Sequence, residues 1–339
     1  MRQGDGAIIR IAQLGAGRMG SVHARNAAAN PRLDLAWIVD PRADIAGALG
    51  HETGAQVATL AAVLADPEVR GIVVASSTDA HLDDTRACLA AGKAVFCEKP
   101  LDLSLERLEA AAADFTRADV PPLFVGFNRR FDPHYRLLKQ RLDAGEIGAL
   151  ESLQIVNHDP ETPPPAFIPG SGGLFKDFTI HDFDLVRWLV GEPVVQVFAW
   201  ASCLIDPEIA ALGDVDTAKL LLRTASGKLC VISNSRRSGY GYDQRIEAFG
   251  AGGALRVDNV TNSAVSAWRA GGAQADAFPY AFIQRYAGAY QAEMDHFADI
   301  LAGAATPETG YAASRAALAL AEASALSARE GRPVALDKE

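Results

Sequence analysis

The stretch "IIRIAQLGAGRMGSVHARN", Ile8 to Asn26, constrains the fold more than any other part of the chain. An apolar run suited to a strand leads into Gly15, Gly17 and Gly20, and a helical pattern opens at once behind them. That GxGxxG spacing, set between a strand and a helix, is the fingerprint of a dinucleotide-binding turn. The first glycine permits the tight turn, the second lets the backbone approach a pyrophosphate, and the third allows close packing of helix on strand. The helix start offers free N–H groups and a positive dipole end to the phosphates. Ala16, Arg18 and Met19 fill the spacing and are expected along the same cofactor path.

The pattern around this turn repeats. "LDLAWIVD", "GIVVASS", "AVFCEKP" and "PLFVGF" read as further strands, several apolar on both faces, with helical segments between them. We expect an α/β Rossmann domain, a doubly wound parallel sheet, over residues 1–126. Beyond it the rhythm changes. "LESLQIVNH", "VVQVFAW", "TAKLLLR", "KLCVISNS", "RIEAFG", "ALRVDN" and "SAVSAW" supply strand after strand. Residues 127–339 are therefore expected to form an α+β domain on a large, mostly antiparallel open sheet, closed by the alanine-rich helical region after Tyr286.

Within the first domain the chemistry gathers where strands end. Asp40 closes the second strand about twenty residues beyond the last glycine, where a carboxylate accepts both adenosine ribose hydroxyls and repels a 2'-phosphate. NAD is favoured over NADP, although Arg42 nearby has the charge to pair with that phosphate. Ser76, Thr78 and His81 follow the strand "GIVVA" and are expected on the cofactor path, with helix capping as the alternative. "FCEKP" brings Glu98 and Lys99 together at the mouth of the sheet. A lysine there can hydrogen-bond a nicotinamide ribose and a substrate hydroxyl; the alternative is a surface lysine paired with Glu98.

Charge and cysteine usage narrow the partners. A formal net charge of -10 without any basic run argues against nucleic acid. No signal peptide or membrane span is legible, and the four cysteines, Cys88, Cys97, Cys203 and Cys230, show no close ligand spacing, which fits reduced thiols in a cytoplasm.

"KDFTIHDFD", Lys176 to Asp184, leaves three readings open: a solvated acidic helix start, a half-built metal site, or a proton-handling pair. On an α-helix Asp177 and His181 would share a face. HExxH-type partners are missing and His158 is the only further histidine with a claim nearby, so no metal is expected.

With these residues in hand the chain strongly resembles the glucose-fructose oxidoreductase and inositol dehydrogenase superfamily, Gfo/Idh/MocA, in its myo-inositol 2-dehydrogenase branch. The resemblance is carried by "GAGRMGSVHARN", "EKP", "GFNRRFDP", "GGLFKDFTIHDFDLVRWL", "GDVDTA" and "NSRRSGYGYDQRIEAFG", in order and over nearly the whole chain. It implies NAD-dependent oxidation of a polyol held in a cleft between the domains. It also implies dimers or tetramers built through the second sheet. Lys99 looks like the family's lysine, Asp177 like its aspartate and His181 like its catalytic histidine. Arg129 and Tyr242 fall where relatives line the substrate site, and Asn157 is a weaker candidate. Asn157, His158, Asp159 and Pro160 stand where "SRDP" is usual, and "FIPGSGG" replaces a polar approach to the glycines. These departures bear on the substrate isomer. An aldose or other pyranose is the alternative substrate, and a non-catalytic NAD-binding regulator the alternative class.

Overall fold

The computed structural model describes residues 8–336, which form two compact units. The first runs to Phe131 and takes in Gly288–Ala316 as well. Its strands are β1 (Ile9–Leu14), β2 (Leu33–Val39), β3 (Gln56–Val57), β4 (Gly71–Val74), β5 (Ala94–Glu98) and β6 (Leu123–Gly126). They form one parallel sheet in the order β3-β2-β1-β4-β5-β6. β4, β5 and β6 are buried throughout, as strands apolar on both faces must be when helices cover both sides. The order reverses beside β1, and ligands of such sheets bind beyond the carboxyl ends of the strands at that switch point.

The return of residues 288–316 differs from the sequence expectation, which put residues 127–339 in the second domain. Gly71 shows why it happens. A Cβ there would lie 2.8 Å from Leu301 and 2.9 Å from Phe297, so the bare glycine lets the helix Ala287–Leu301 seat its apolar side on β4. Phe297 is fully buried, a contribution of about 2–3 kcal/mol.

The second unit holds Asp132–Ala287 and the chain from Ala317. Its strands are β7 (Leu150–His158), β8 (Val194–Ser202), β9 (Thr217–Thr224), β10 (Leu229–Ser235), β11 (Asp243–Gly250), β12 (Gly253–Val257), β13 (Ser266–Arg269), β14 (Gly272–Ala275) and β15 (Val334–Ala335). Seven form one mixed sheet, β12-β11-β7-β10-β9-β8-β15, antiparallel except where β7 lies parallel to β10. Burial alternates along β9, as expected for a sheet with one covered face. "SAVSAW" does not join it: β13 and β14 make a separate, exposed ribbon, because they carry no alternating apolar face to bury. Among the described residues, no helix is long and apolar enough to cross a membrane.

Candidate active site

In the first unit the glycine turn has the form its spacing called for. Gly15 adopts φ +90, and a Cβ there would sit 2.1 Å from the Ala75 carbonyl oxygen. A Cβ on Gly20 would sit 2.2 Å from the Gly15 oxygen, so both positions exclude any side chain. At Gly17 the nearest atom to such a Cβ is Arg42 Nη2 at 3.9 Å, which leaves the backbone open to a ligand. The helix Arg18–Ala29 starts there with no side-chain cap and no acid in its first turn. An uncapped helix start beside an open backbone fits a pyrophosphate. Asp40 accepts the Ala16 N–H at 2.8 Å and two guanidinium bonds from Arg42, at 2.9 and 3.0 Å. Those Arg42 bonds, outweighing burial, hold its carboxyl well below the usual range. Arg42 is thereby tied to Asp40 rather than loose in solvent. Gln13, which carried no signal beyond being polar in an apolar strand, braces the turn by donating to the carbonyls of Gly15 and Gly20 at 2.9 and 2.6 Å.

Lys99 follows β5, half-buried, and its backbone N–H donates to Glu98 Oε2 at 3.1 Å. Glu98 Oε1 lies 2.6 Å from His23 Nε2, and both side chains are almost wholly enclosed. Burial opposes charge on Glu98, but the His23 hydrogen bond and the positive groups around it win, keeping its carboxyl below the usual range. Glu98 is thus a buried support for the Lys99 backbone. Glu293 lies fully buried in the same unit with neither carboxyl oxygen hydrogen-bonded. Burial, then the charge of Glu98, push it well above the usual range. A folded value raised in this way is stability present below about pH 4.3, the unfolded glutamate value, and lost as pH rises through the folded one. Glu293→Gln is therefore expected to raise the melting temperature at about pH 8 and to lose that advantage towards pH 5; a difference independent of pH would contradict it.

In the second unit the "SGG" entry builds a rigid approach to the acidic segment. Gly173 adopts φ +79, and a Cβ on it would lie 2.6 Å from Asp214 Oδ1. The same oxygen accepts the Leu174 N–H at 3.0 Å. Leu174–Thr179 then forms a π-helical turn, and an α-helix runs from Ile180 to Val190. Asp177 and His181 stand on either side of that change of winding, so they do not share one continuous α-helix as their spacing suggested. Single π turns inside helices are frequent at functional sites.

Asp182, which reads in sequence as a helix-start or packing acid, is completely buried and is the hub of the region. Its Oδ2 accepts amide N–H bonds from Asn157 at 3.0 Å and Asn234 at 2.8 Å, and its Oδ1 accepts one from Gln244 at 3.2 Å. Asn157 pairs in register with Asn234 across β7–β10 and with Gln244 across β7–β11. Three neighbouring strands thus offer one row of amides to one carboxylate. Hydrogen bonds to a charged group contribute about 1.5–3 kcal/mol each, and an unpaired carboxylate at this depth would be prohibitive. The cradle pins the residue next to His181 to the sheet.

Both units match family models: residues 9–127 match the oxidoreductase family NAD-binding Rossmann fold, and residues 135–256 the GFO/IDH/MocA C-terminal domain. The inositol 2-dehydrogenase of Rhizobium meliloti (strain 1021) is 41% identical over 97% of this chain and 99% of its own. The chain belongs to the Gfo/Idh/MocA oxidoreductase family. A myo-inositol dehydrogenase structure from Corynebacterium glutamicum aligns with a TM-score of 0.91 at 39% identity, covering 98% of this chain and 99% of that one. A scyllo-inositol dehydrogenase structure from Lactobacillus casei, with bound NAD(H) and scyllo-inositol, aligns at 0.89 and 25% identity over 96% and 98% of the two chains.

Within this Gfo/Idh/MocA frame the remaining candidates separate. Ser76 and Thr78 are half-buried beyond β4, Ser76 donating to Asp84 at 2.6 Å. His81 is enclosed, its ring nitrogens 2.8 Å from the Pro100 carbonyl and 3.3 Å from that of Ser76, so it braces the loops after β4 and β5. Arg129 is buried in the turn Asn128–Phe131 of the first unit. Asn157 is fully buried with its amide spent on Asp182, and Tyr242, also buried, donates to the Asn157 and Gln244 side-chain oxygens at 3.4 Å. Both belong to the hydrogen-bonded cradle around Asp182. His158, at the end of β7, pairs with Asp243 of β11, and burial pushes its imidazole pKa down. Asp216 of "GDVDTA" is a buried loop anchor: burial would push it up, but the N–H groups of Leu204, Ile205 and Asp206 hold it at about 2.

Proposed function

We propose that this chain oxidises a secondary ring hydroxyl of a cyclitol with NAD, myo-inositol to 2-keto-myo-inositol (scyllo-inosose) being the first choice. The observation that carries the reading is how "KDFTIHDFD" divides its polar groups. Asp182 and Asp184 are locked inside, while His181 and Asp177 keep partial exposure. The segment is thereby a rigid mount for one imidazole and one carboxylate. NAD supplies the hydride acceptor. The chain supplies proton handling and alignment: His181, neutral, takes the hydroxyl proton, Asp177 steadies the imidazolium that forms, and Lys99 polarises the same oxygen. The likeness to inositol dehydrogenases over nearly the full chain supports a cyclitol as substrate.

The test is NADH formation with a panel of inositol isomers, aldoses and other pyranoses, run with NAD and with NADP. Myo-inositol with NAD is expected to give the highest kcat/KM, with NADP well below it, since the Asp40 carboxylate at the end of β2 would repel a 2'-phosphate. A pyranose turned over faster than every inositol would move the substrate class. Cofactor binding without turnover across the panel would make the chain a regulator.

We read the exposed face of the second sheet as the surface where copies associate. Leu221, Leu229, Val231 and Phe249 are each at least 40% exposed there. A single-chain mass in solution would remove this reading. Four free cysteines support a reducing, cytoplasmic setting.

A further inference from the structure

We propose that Arg236 is a positioning residue of the reaction, acting on the substrate through Asp177. The proposal rests on the reading above that Asp177 serves His181. Arg236 follows β10 and is 1% exposed, among the largest fully buried side chains of the chain. Its backbone N–H donates to the Asp216 carbonyl at 2.9 Å, so the anchored loop before β9 fixes its base. Its guanidinium stands between two carboxylates, Nη1 3.7 Å from Asp177 Oδ2 and Nη2 3.8 Å from Asp214 Oδ2, and lies over the Phe178 ring at 5.9 Å.

Both separations are those of ion pairs, not hydrogen bonds. Nε and Nη2 make no hydrogen bond, nor does Asp214 Oδ2. Such an arrangement is a poor source of stability: an arginine out of water costs several kcal/mol, and a well-packed apolar side chain would serve the fold as well. What it provides is a fixed positive charge shared by a post and a working group. Asp214 is the post, locked against Gly173 and the Leu174 N–H. Asp177 is the working group, 24% exposed on a π-helical turn. Lys176 beside it donates to Glu322 at 2.9 Å. The buried cation ties the Asp177 carboxylate to the frame that also sets the turn, and so keeps it aimed where His181 needs it. Because no directional hydrogen bond is involved, the charge matters and the fork does not, which separates this role from the usual non-equivalence of arginine and lysine.

The experiment uses the full chain and the polyol oxidised best with NAD, comparing Arg236→Met, Arg236→Lys, Asp177→Asn and the Arg236→Met/Asp177→Asn double variant. Displacing a working group by about an ångström costs up to about 100-fold. Arg236→Met is expected to lower kcat by about 10- to 100-fold with little change in KM for the polyol or in NADH affinity by fluorescence. Arg236→Lys should recover most of that loss. In the Asp177→Asn background Arg236→Met should cost little more, since both act on one carboxylate. Parental turnover in Arg236→Met, no recovery in Arg236→Lys, or a full second loss in the double variant would each overturn the proposal. Parental turnover in Asp177→Asn would instead refute the reading of Asp177, and absence of polyol turnover in the parent removes both. Should Arg236→Met fail to fold, Asp214→Asn decides: it keeps an acceptor for the Leu174 N–H and deletes the post's charge. A loss of kcat at unchanged melting temperature supports the clamp, and unchanged kcat refutes it.

Discussion

His181→Ala is expected to lower kcat by about 10²- to 10⁴-fold, the range in which a positioned general base contributes, while NADH affinity and melting temperature stay close to the parent's. The separation follows from where the residue sits. His181 is half-buried at the start of the helix Ile180–Val190, whereas the first unit holds the glycine turn and Asp40. The helix does not depend on the imidazole, because its start is fastened by Asp182 to Asn157, Asn234 and Gln244. Removing the ring removes chemistry and leaves the mount. Turnover within tenfold of the parent would assign the base elsewhere.

Lys99→Met should cost about 10²- to 10³-fold in kcat, the loss that follows removal of one donor aimed at a reacting oxygen. Methionine keeps the unbranched length and discards the charge. The backbone should hold its place, since the Lys99 N–H is bound by Glu98 and Glu98 by His23. A modest rise in KM for NAD is expected as well, if Lys99 also bonds the nicotinamide ribose as proposed. If Lys99→Met turned over like the parent, the residue would be a bystander at the strand end, the bland alternative that its sequence position also allowed.

The glycine turn was legible in the chain, because tight turns and close approaches depend on the absence of a side chain, which is a property of residue type. Gly15 and Gly20 meet backbone oxygens at 2.1 and 2.2 Å from a would-be Cβ, as the spacing predicted. The α/β rhythm and the second sheet were legible for the same reason: burial on two faces or one writes its period into the sequence. Gly71 carried no such message. Its meaning lies in Phe297 and Leu301, more than two hundred residues away, and no local pattern encodes that meeting.

The acidic segment shows the division most clearly. By itself the sequence determined that Asp177, His181, Asp182 and Asp184 share one short stretch, and that the chain contains a dinucleotide turn and an "EKP" lysine to give that stretch a use. It set Asp177 apart as the partner of His181 and left Asp182 and Asp184 as helix-start or packing acids, but it carried nothing of the donors each one meets, on which a carboxylate's role depends. Only the tertiary structure decided that. β7 inserted between β10 and β11 aligns Asn157 with Asn234 and Gln244, and that row of amides claims Asp182. The π-helical turn leaves Asp177 at the edge, facing the buried charge of Arg236. Burial and hydrogen bonding set what an ionisable group can do, and both are made by strands that lie far apart in the chain.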